Sequence, residues 1–184
     1  MNDTLRLEIA PAEMLGLQVL VHVNDVERTS VGAGMGRDPV EVLVQDKAFV
    51  ATEKPHTFVI ATCDCGIDGC GRTDVTIVRE AGTVRWTWSY EVPMPRDAVF
   101  DAEAYDREIA RVAEGREWET PVLAAARLVM IGAPKISWAG AHAEDPERFQ
   151  VILRKGWGRR ETRDYSRDGR SPQELAQAVL RELA

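Results

Sequence analysis

Three cysteines lie within eight residues of one another and are the side chains of this sequence best suited to chemistry. Cys63, Cys65 and Cys70 form the pattern CxCGxxGC. Thiolates are soft anionic donors that bind zinc well, and a tight connection between two strands can direct several sulfurs at one centre. The motif therefore predicts a candidate zinc site that supplies at most three ligands.

A structural zinc site needs a fourth ligand, and His56 is the nearest histidine in the sequence. His22, Asp64 or Asp68 would also serve chemically. The spacing is less favourable, since Cys63 and Cys65 are closer than the two to four intervening residues typical of zinc fingers, and no second CxxC occurs. The predicted metal ligands are thus Cys63, Cys65, Cys70 and His56.

Two other readings of the motif stay open. The cysteines could be reduced thiols in a turn shaped by Gly66, Gly69 and Gly71, or they could form a local disulfide with a redox role. A nucleophilic cysteine would need a nearby base, and the histidines fall in separate segments of the chain. We therefore predict no catalytic residues and favour a protein that is not an enzyme.

Alternating apolar residues predict strands on both sides of the cysteines. In one of these strands Val84, Trp86, Trp88 and Tyr90 share a face, which we expect to pack in the core. Asn24 and Asp25 form the expected turn of an earlier hairpin. The predicted strands are residues 5–9, 15–23, 57–63, 74–79, 83–90, 135–139, 149–154 and 159–165.

Capping residues and apolar periodicity predict three helices and a shorter fourth one. Asp101 and Thr120 are the expected N-caps of the first two, and Ser171 with Glu174 forms a capping box. The predicted helices are residues 38–45, 101–114, 120–130 and 171–183. We predict an α+β fold with a largely antiparallel sheet packed against three to four helices. Residues 1–184 are expected to form a single domain, with possible sub-lobes at 1–100 and 101–184.

Amino-acid composition indicates the class of protein and the cellular compartment to be expected. The 184 residues are 45% hydrophobic and 29% charged, as in ordinary globular domains. Neither a signal-like N-terminus nor a run of about 18 apolar residues occurs, so we expect neither classical secretion nor membrane spanning. Three closely spaced cysteines favour a reducing cytoplasm over a disulfide framework. Oligomeric state is not encoded in any motif, and two motifs could also pair across a dimer.

Charge is distributed unevenly along the chain. The formal net charge of −7 argues against non-specific binding of nucleic acid. Residues 1–100 carry 9 basic and 15 acidic side chains, whereas residues 154–184 carry 8 basic and 5 acidic ones. We expect the basic segment to be a solvated pair of strands; the alternative is a surface for an anionic partner such as RNA or an acidic protein.

The segment from about residue 20 to residue 118 resembles a group of bacterial proteins that is common in actinobacteria. The similarity rests on a CxCGxxGCG turn, a following VxW strand and a helix that contains a tyrosine. The matching stretches here are FVIATCDCGIDGCGRTDVTIVREAGTVRWTW and FDAEAYDREIARV. The resemblance implies no particular activity.

Two functional hypotheses follow from the sequence. The first is a non-enzymatic, cytoplasmic protein-binding domain of the toxin-immunity type, because an acidic face would speed encounter with a basic partner. The second is a zinc-stabilised domain with an enzymatic or regulatory role that uses Cys63, Cys65 and Cys70.

Overall fold

The computed structural model describes residues 2–12, 16–65, 70–115, 117–133, 135–142, 145–155 and 159–184, without the side chains of His142 and Pro146. The chain divides into two compact units, Met1–Arg116 and Glu117–Ala184. The first helix belongs to the first unit, so the division lies beyond residue 100. The expectation of a single domain stays a prediction.

Eight strands, a π-helical turn and one α-helix are described in the first unit. They are β1 (Leu5–Ala12), β2 (Gly16–Val23), β3 (Val26–Glu27), β4 (Met35–Gly36), the π-helical turn Val40–Gln45, β5 (His56–Thr62), β6 (Arg72–Glu80), β7 (Thr83–Tyr90), β8 (Ala98–Asp101) and α1 (Ala102–Glu114). The strands form an antiparallel three-stranded sheet, β1-β2-β3, and an antiparallel five-stranded sheet, β4-β5-β6-β7-β8. These antiparallel sheets with helices confirm the predicted α+β fold class.

Local sequence explains how these elements begin and turn. Asn24 and Asp25 both have positive φ values, 53° and 62°, as a two-residue hairpin between right-twisted strands requires. The carboxylate of Asp101 accepts a hydrogen bond from the Ala104 amide and caps α1, as predicted. The predicted helix at residues 38–45 is a π-helical turn, in which the Asp38 carboxylate accepts from the Val40 amide at 2.7 Å.

Helix α1 covers the sheets on its apolar face and holds their edge with polar side chains. Tyr105, Ile109 and Val112 are buried on one stripe of the helix. On its flank, Glu108 accepts a hydrogen bond from the Leu7 amide at 2.6 Å, and Arg111 donates to the Leu7 carbonyl at 2.7 Å. These bonds satisfy backbone groups of β1 that would otherwise lie free at a sheet edge.

Aromatic side chains from β7, β8 and α1 form the centre of this core. Trp86 is fully buried and its ring lies 5.3 Å from Phe100 and 6.0 Å from Tyr105. Its indole N–H donates to the Tyr105 hydroxyl at 3.3 Å, and that hydroxyl donates to the Phe49 carbonyl at 2.7 Å. The Trp86 N–H and the Tyr105 hydroxyl are therefore both hydrogen-bonded, so burying them carries little free-energy cost.

The prediction that four residues of β7 pack together holds for three of them. Val84, Trp86 and Trp88 are buried, whereas Tyr90 is 66% exposed. Tyr90 has a φ of 63°, so the chain leaves the extended conformation there and the alternation of faces ends. Period-two patterning fails at this residue because it assumes a strand that continues.

The second unit contains α2 (Pro121–Gly132), β9 (Ile136–His142), β10 (Asp145–Arg154), β11 (Arg160–Ser166) and α3 (Pro172–Leu183). Its three strands form an antiparallel sheet in the order β11-β10-β9. The capping box of Ser171 and Glu174 is formed as predicted. Residues 156–158, between the last two predicted strands, and Leu15 of the second predicted strand lie outside the described residues. Across the described residues of both units, none of the helices has the length and apolar character needed to cross a membrane.

Candidate metal centre

The thiols lie at one end of the β5–β6 hairpin. Thr62 pairs with Arg72 at the end of the ladder, and one step further the Cys63 amide donates to the Gly71 carbonyl at 3.0 Å. Cys63 therefore leaves β5 directly opposite the residue that precedes β6, and Cys70 lies one residue before that. Antiparallel pairing of β5 with β6 brings the two ends of the motif together, whatever the conformation of the residues between them.

The three sulfur atoms all lie within 4.8 Å of one another. Cys63 Sγ and Cys65 Sγ are 2.9 Å apart, and the Cys65 amide lies 3.4 Å from Cys63 Sγ. In a tetrahedral zinc site with Zn–S bonds of about 2.3 Å, neighbouring sulfurs are about 3.8 Å apart. The cluster thus has nearly the size of a metal site, and Cys63 and Cys65 need only separate slightly.

Crowding of the thiols changes the acidity of Cys70. Hydrogen bonds with Cys65 and Cys63, followed by the charges of those two groups, raise the pKa of Cys70 to about 12. Like charges at this distance oppose one another, so three thiolates cannot coexist here without a counter-charge. A divalent cation supplies that charge and displaces the protons. Together the described cysteines could hold a metal ion; two of them are exposed and Cys63 is half-buried.

The structure does not bring His56 to the thiols. His56 begins β5 and Cys63 follows its last residue, which places them roughly 20 Å apart along an extended strand. The Nε2 atom of His56 lies 2.7 Å from the Ala48 carbonyl oxygen, so this ring ties β5 to the segment before it. An extended strand spans more distance per residue than a turn does, so β5 places His56 far from Cys63 although the two residues are close in sequence.

The other predicted fourth ligands fall in three different positions. His22 is in β2, where its Nδ1 lies 2.9 Å from an Arg6 nitrogen and its Nε2 lies 3.3 Å from Glu8. Asp64 is beside the thiols, with Oδ1 3.8 Å from Cys63 Sγ. Asp68, together with Gly66 and Gly69, lies outside the described residues. Of these candidates, Asp64 is the one that the structure places near the sulfurs.

A carboxylate that sequence reasoning missed lies across Gly71 from Cys63. A Cβ atom added at Gly71 would overlap the Glu91 carboxylate and would lie 3.6 Å from the Cβ of Cys63. Glu91 follows β7, and the β6–β7 pairing of Thr73 with Tyr90 brings it to this end of the sheet. A glycine directly after the last cysteine was the available signal, but only the hairpin register could identify its neighbour.

Several charged side chains of the basic segment, residues 154–184, form ion pairs within the second unit. Arg148 pairs with Asp164 at 2.5 Å and Arg163 pairs with Glu161 at 2.6 Å. Further pairs join Arg167 to Glu147 and Arg170 to Asp168. This is the arrangement expected of a solvated hairpin, in which exposed pairs contribute little stability.

Among the described residues, the three cysteines are the one cluster of potential metal ligands. Comparisons with known proteins give no further guide to it: no family model, curated protein or solved structure matches the chain.

Proposed function

We propose that this protein binds one zinc ion through Cys63, Cys65 and Cys70, and that the ion has a structural or regulatory role at the end of the β5–β6 hairpin. The observation that carries the proposal is the convergence of three Sγ atoms within 4.8 Å. Three thiolates select a soft or borderline cation over calcium or magnesium, which prefer oxygen ligands.

A regulatory or structural role fits this site better than a catalytic one. Of the two histidines whose side chains are described, His22 and His56 are both engaged elsewhere, so neither is placed as a general base beside the ion. The thiols must stay reduced to bind, which favours a cytoplasmic location for the protein. The ion would fix the connection between β5 and β6 and would present a defined surface there.

Metal removal should act locally. The thiols are half-buried or exposed, whereas the core of the first unit is built from residues such as Trp86, Phe100 and Ile77 that are at most 1% exposed. Unlike a zinc finger, whose fold depends on its ion, this unit has a hydrophobic core that does not include the ligands. We therefore expect chelation to loosen the hairpin end without unfolding the unit.

The test is native mass spectrometry of untagged protein, with and without a chelator, followed by titration with Co²⁺. We expect one zinc per chain and, with Co²⁺, the near-ultraviolet charge-transfer absorption of thiolate ligands. The Cys70→Ser variant should lose most of both signals, and the matched control His56→Ala should keep them. A metal-free wild-type protein with three free thiols at micromolar free zinc, or a mass two hydrogens short, would contradict the proposal.

A second candidate function, binding of a basic protein partner, is favoured by exposed apolar side chains near the thiols. Val31, Tyr90 and Val92 are 58%, 66% and 51% exposed. The segments that carry them are in contact, since Arg28 donates to the Pro93 carbonyl at 3.3 Å. Tyrosine is enriched at the energetic centres of interfaces. The unit Met1–Arg116 carries 20 acidic and 12 basic side chains, a balance of −8 that would steer a basic partner.

This candidate, which includes the toxin-immunity reading, is tested by co-purification from the native host. We expect a basic polypeptide that is retained by the wild type and lost with Tyr90→Ala. The control is Val50→Ala, which removes another exposed apolar side chain, 47% exposed, in the same unit. Equal retention by both variants, or no polypeptide at all, would overturn it.

A further inference from the structure

The backbone of Glu91 is fixed at the end of the sheet from which the cysteine motif extends. Its amide donates to the Arg72 carbonyl at 3.0 Å, and its carbonyl accepts a hydrogen bond from the Thr73 hydroxyl at 2.8 Å. The preceding residue, Tyr90, has a φ of 63°, an uncommon conformation for a bulky side chain. The chain is thus turned and fixed at the residue that carries the carboxylate.

Gly71 leaves space for that carboxylate. Gly71 is not among the glycines with positive φ, so its backbone conformation does not itself require glycine. A Cβ at this position would overlap the Glu91 carboxylate, so a larger residue here would require the Glu91 side chain to move aside. The same Cβ would be in ordinary contact with Cys63, which places the carboxylate and the cysteine on the two sides of one missing methyl group.

The Glu91 carboxylate has no cationic partner in the part of the chain that the structure describes. Arg72 is the nearest arginine in sequence to the thiols, yet its guanidinium lies 3.8 Å from the centre of the Tyr90 ring and 3.3 Å from Asp74. The carboxylate therefore lies next to Gly71, the residue that follows Cys70, with its lone pairs available to a metal ion. It lies outside the group of sulfur atoms that are within 4.8 Å of one another, so the Glu91 side chain must rotate to reach an ion held by them.

We infer that Glu91 is the fourth ligand of the metal ion and completes a Cys3Glu site. The inference rests on the zinc site proposed above. Carboxylate oxygens bind zinc at about 2.0–2.2 Å. Glu91 follows β7, which lies on the other side of β6 from β5, so its carboxylate would enclose the ion from a second side. Asp64 is the competing carboxylate. It follows Cys63 directly in the chain, with Oδ1 3.8 Å from Cys63 Sγ, whereas Glu91 follows a different strand and can approach the ion from a side that the cysteine motif itself does not supply.

The experiment compares zinc affinity, measured by competition with a chromophoric chelator, in the wild type and three variants. Glu91→Gln should weaken binding at least about 10-fold, since the loss even of a residue that only orients a metal ligand typically costs about 10-fold to 100-fold. Gly71→Ala should weaken it similarly by displacing the carboxylate, and the double variant should bind no more weakly than the weaker single one. Asp64→Asn should bind within about twofold of the wild type. The absorption bands of bound Co²⁺ should shift in Glu91→Gln, where water replaces the carboxylate.

Three outcomes would overturn the inference: wild-type affinity in Glu91→Gln, loss of affinity in Asp64→Asn instead, or additive losses in the double variant. Each of these leaves the three-thiol site intact. By contrast, a wild-type protein that takes up no zinc would defeat the proposed function itself. Thermal unfolding of each metal-free variant identifies any loss of folding. Glu91→Gln is expected to fold, since both backbone hydrogen bonds of residue 91 are kept.

Discussion

The aromatic core and the thiol cluster occupy the same sheet of the first unit and differ in almost every physical respect. Trp86 is fully buried and Tyr105 nearly so, and their polar atoms are paired within the core. Cys65 and Cys70 are exposed. Burial raises the pKa of Tyr105 well above its ordinary value, whereas hydrogen bonds and charges of neighbouring thiols raise that of Cys70.

The residues that stabilise the fold and the residues that could bind a metal ion thus lie at different positions along the same strands. Strand β6 begins at Arg72, beside the thiols, and carries the fully buried Ile77 further along. Core residues can therefore hold the strand in place while its first residues position ligands. Substitutions in the two regions should have different effects, and the following four predictions examine this from the largest effect to the smallest.

The largest loss of stability is expected for Trp86→Ala. Removal of a fully buried ring that contacts Phe100 and Tyr105 should lower the free energy of unfolding by about 4 kcal/mol, through lost burial and the cavity left behind. Urea unfolding monitored by circular dichroism measures it. A loss below about 1 kcal/mol would show that the aromatic cluster is not the main source of stability.

A smaller effect is expected for Asp3→Asn. A hydrogen bond from Arg96 lowers the pKa of Asp3, opposed by burial and aided by the Val99 amide and Asn24. The carboxylate is 5% exposed and joins the N-terminal segment to the β2–β3 turn and to β8. Loss of its charge should lower the free energy of unfolding by about 2–3 kcal/mol at neutral pH.

The same variant gives a pH test. A carboxyl whose pKa is lowered on folding stabilises the protein fully above its unfolded pKa of about 3.9, and this contribution is lost as the pH falls toward the folded value. The difference between wild type and Asp3→Asn should therefore be constant above about pH 5 and should narrow in acid. A difference that grows in acid would contradict the assignment.

Tyr105→Phe should cost less again. It removes the hydroxyl that accepts from Trp86 and donates to the Phe49 carbonyl, and it leaves two buried polar groups unpaired. We expect a loss of about 1–2 kcal/mol in the free energy of unfolding, measured by urea titration at pH 7. Metal binding should be unchanged, and a change in zinc affinity would show that the two regions are coupled.

The smallest effect on stability, and the largest on metal content, is expected for Cys70→Ser. In the metal-free protein the free energy of unfolding should change by less than about 0.5 kcal/mol, because an exposed thiol makes little difference to folding. Zinc stoichiometry should fall at the same time. A large loss of stability in the metal-free variant would show that the thiol cluster also contributes to folding, contrary to this prediction.

Much of the fold could be predicted from short-range pattern. The strand around Val19 and Val21, the caps at Asp101 and Ser171, and the turn at Asn24 each depend on residues a few positions apart, and each is confirmed. The packing role of individual glycines could not be predicted in this way. A Cβ at Gly36 in β4 would overlap the Val19 backbone in β2, so this glycine allows a close contact between two strands that no local pattern predicts.

The sequence by itself determined the longer strands, the helices with their caps and the three thiols, because these depend on local propensity, periodicity and residue type. It did not predict the short strands β3, β4 and β8, which are defined by pairing with other strands. Tertiary structure decided which side chains surround the thiols. It kept His56 at the far end of β5, turned Tyr90 outward and brought Glu91 across Gly71. Such neighbours are set by strand register, and register depends on the pairing of residues that lie far apart in the chain.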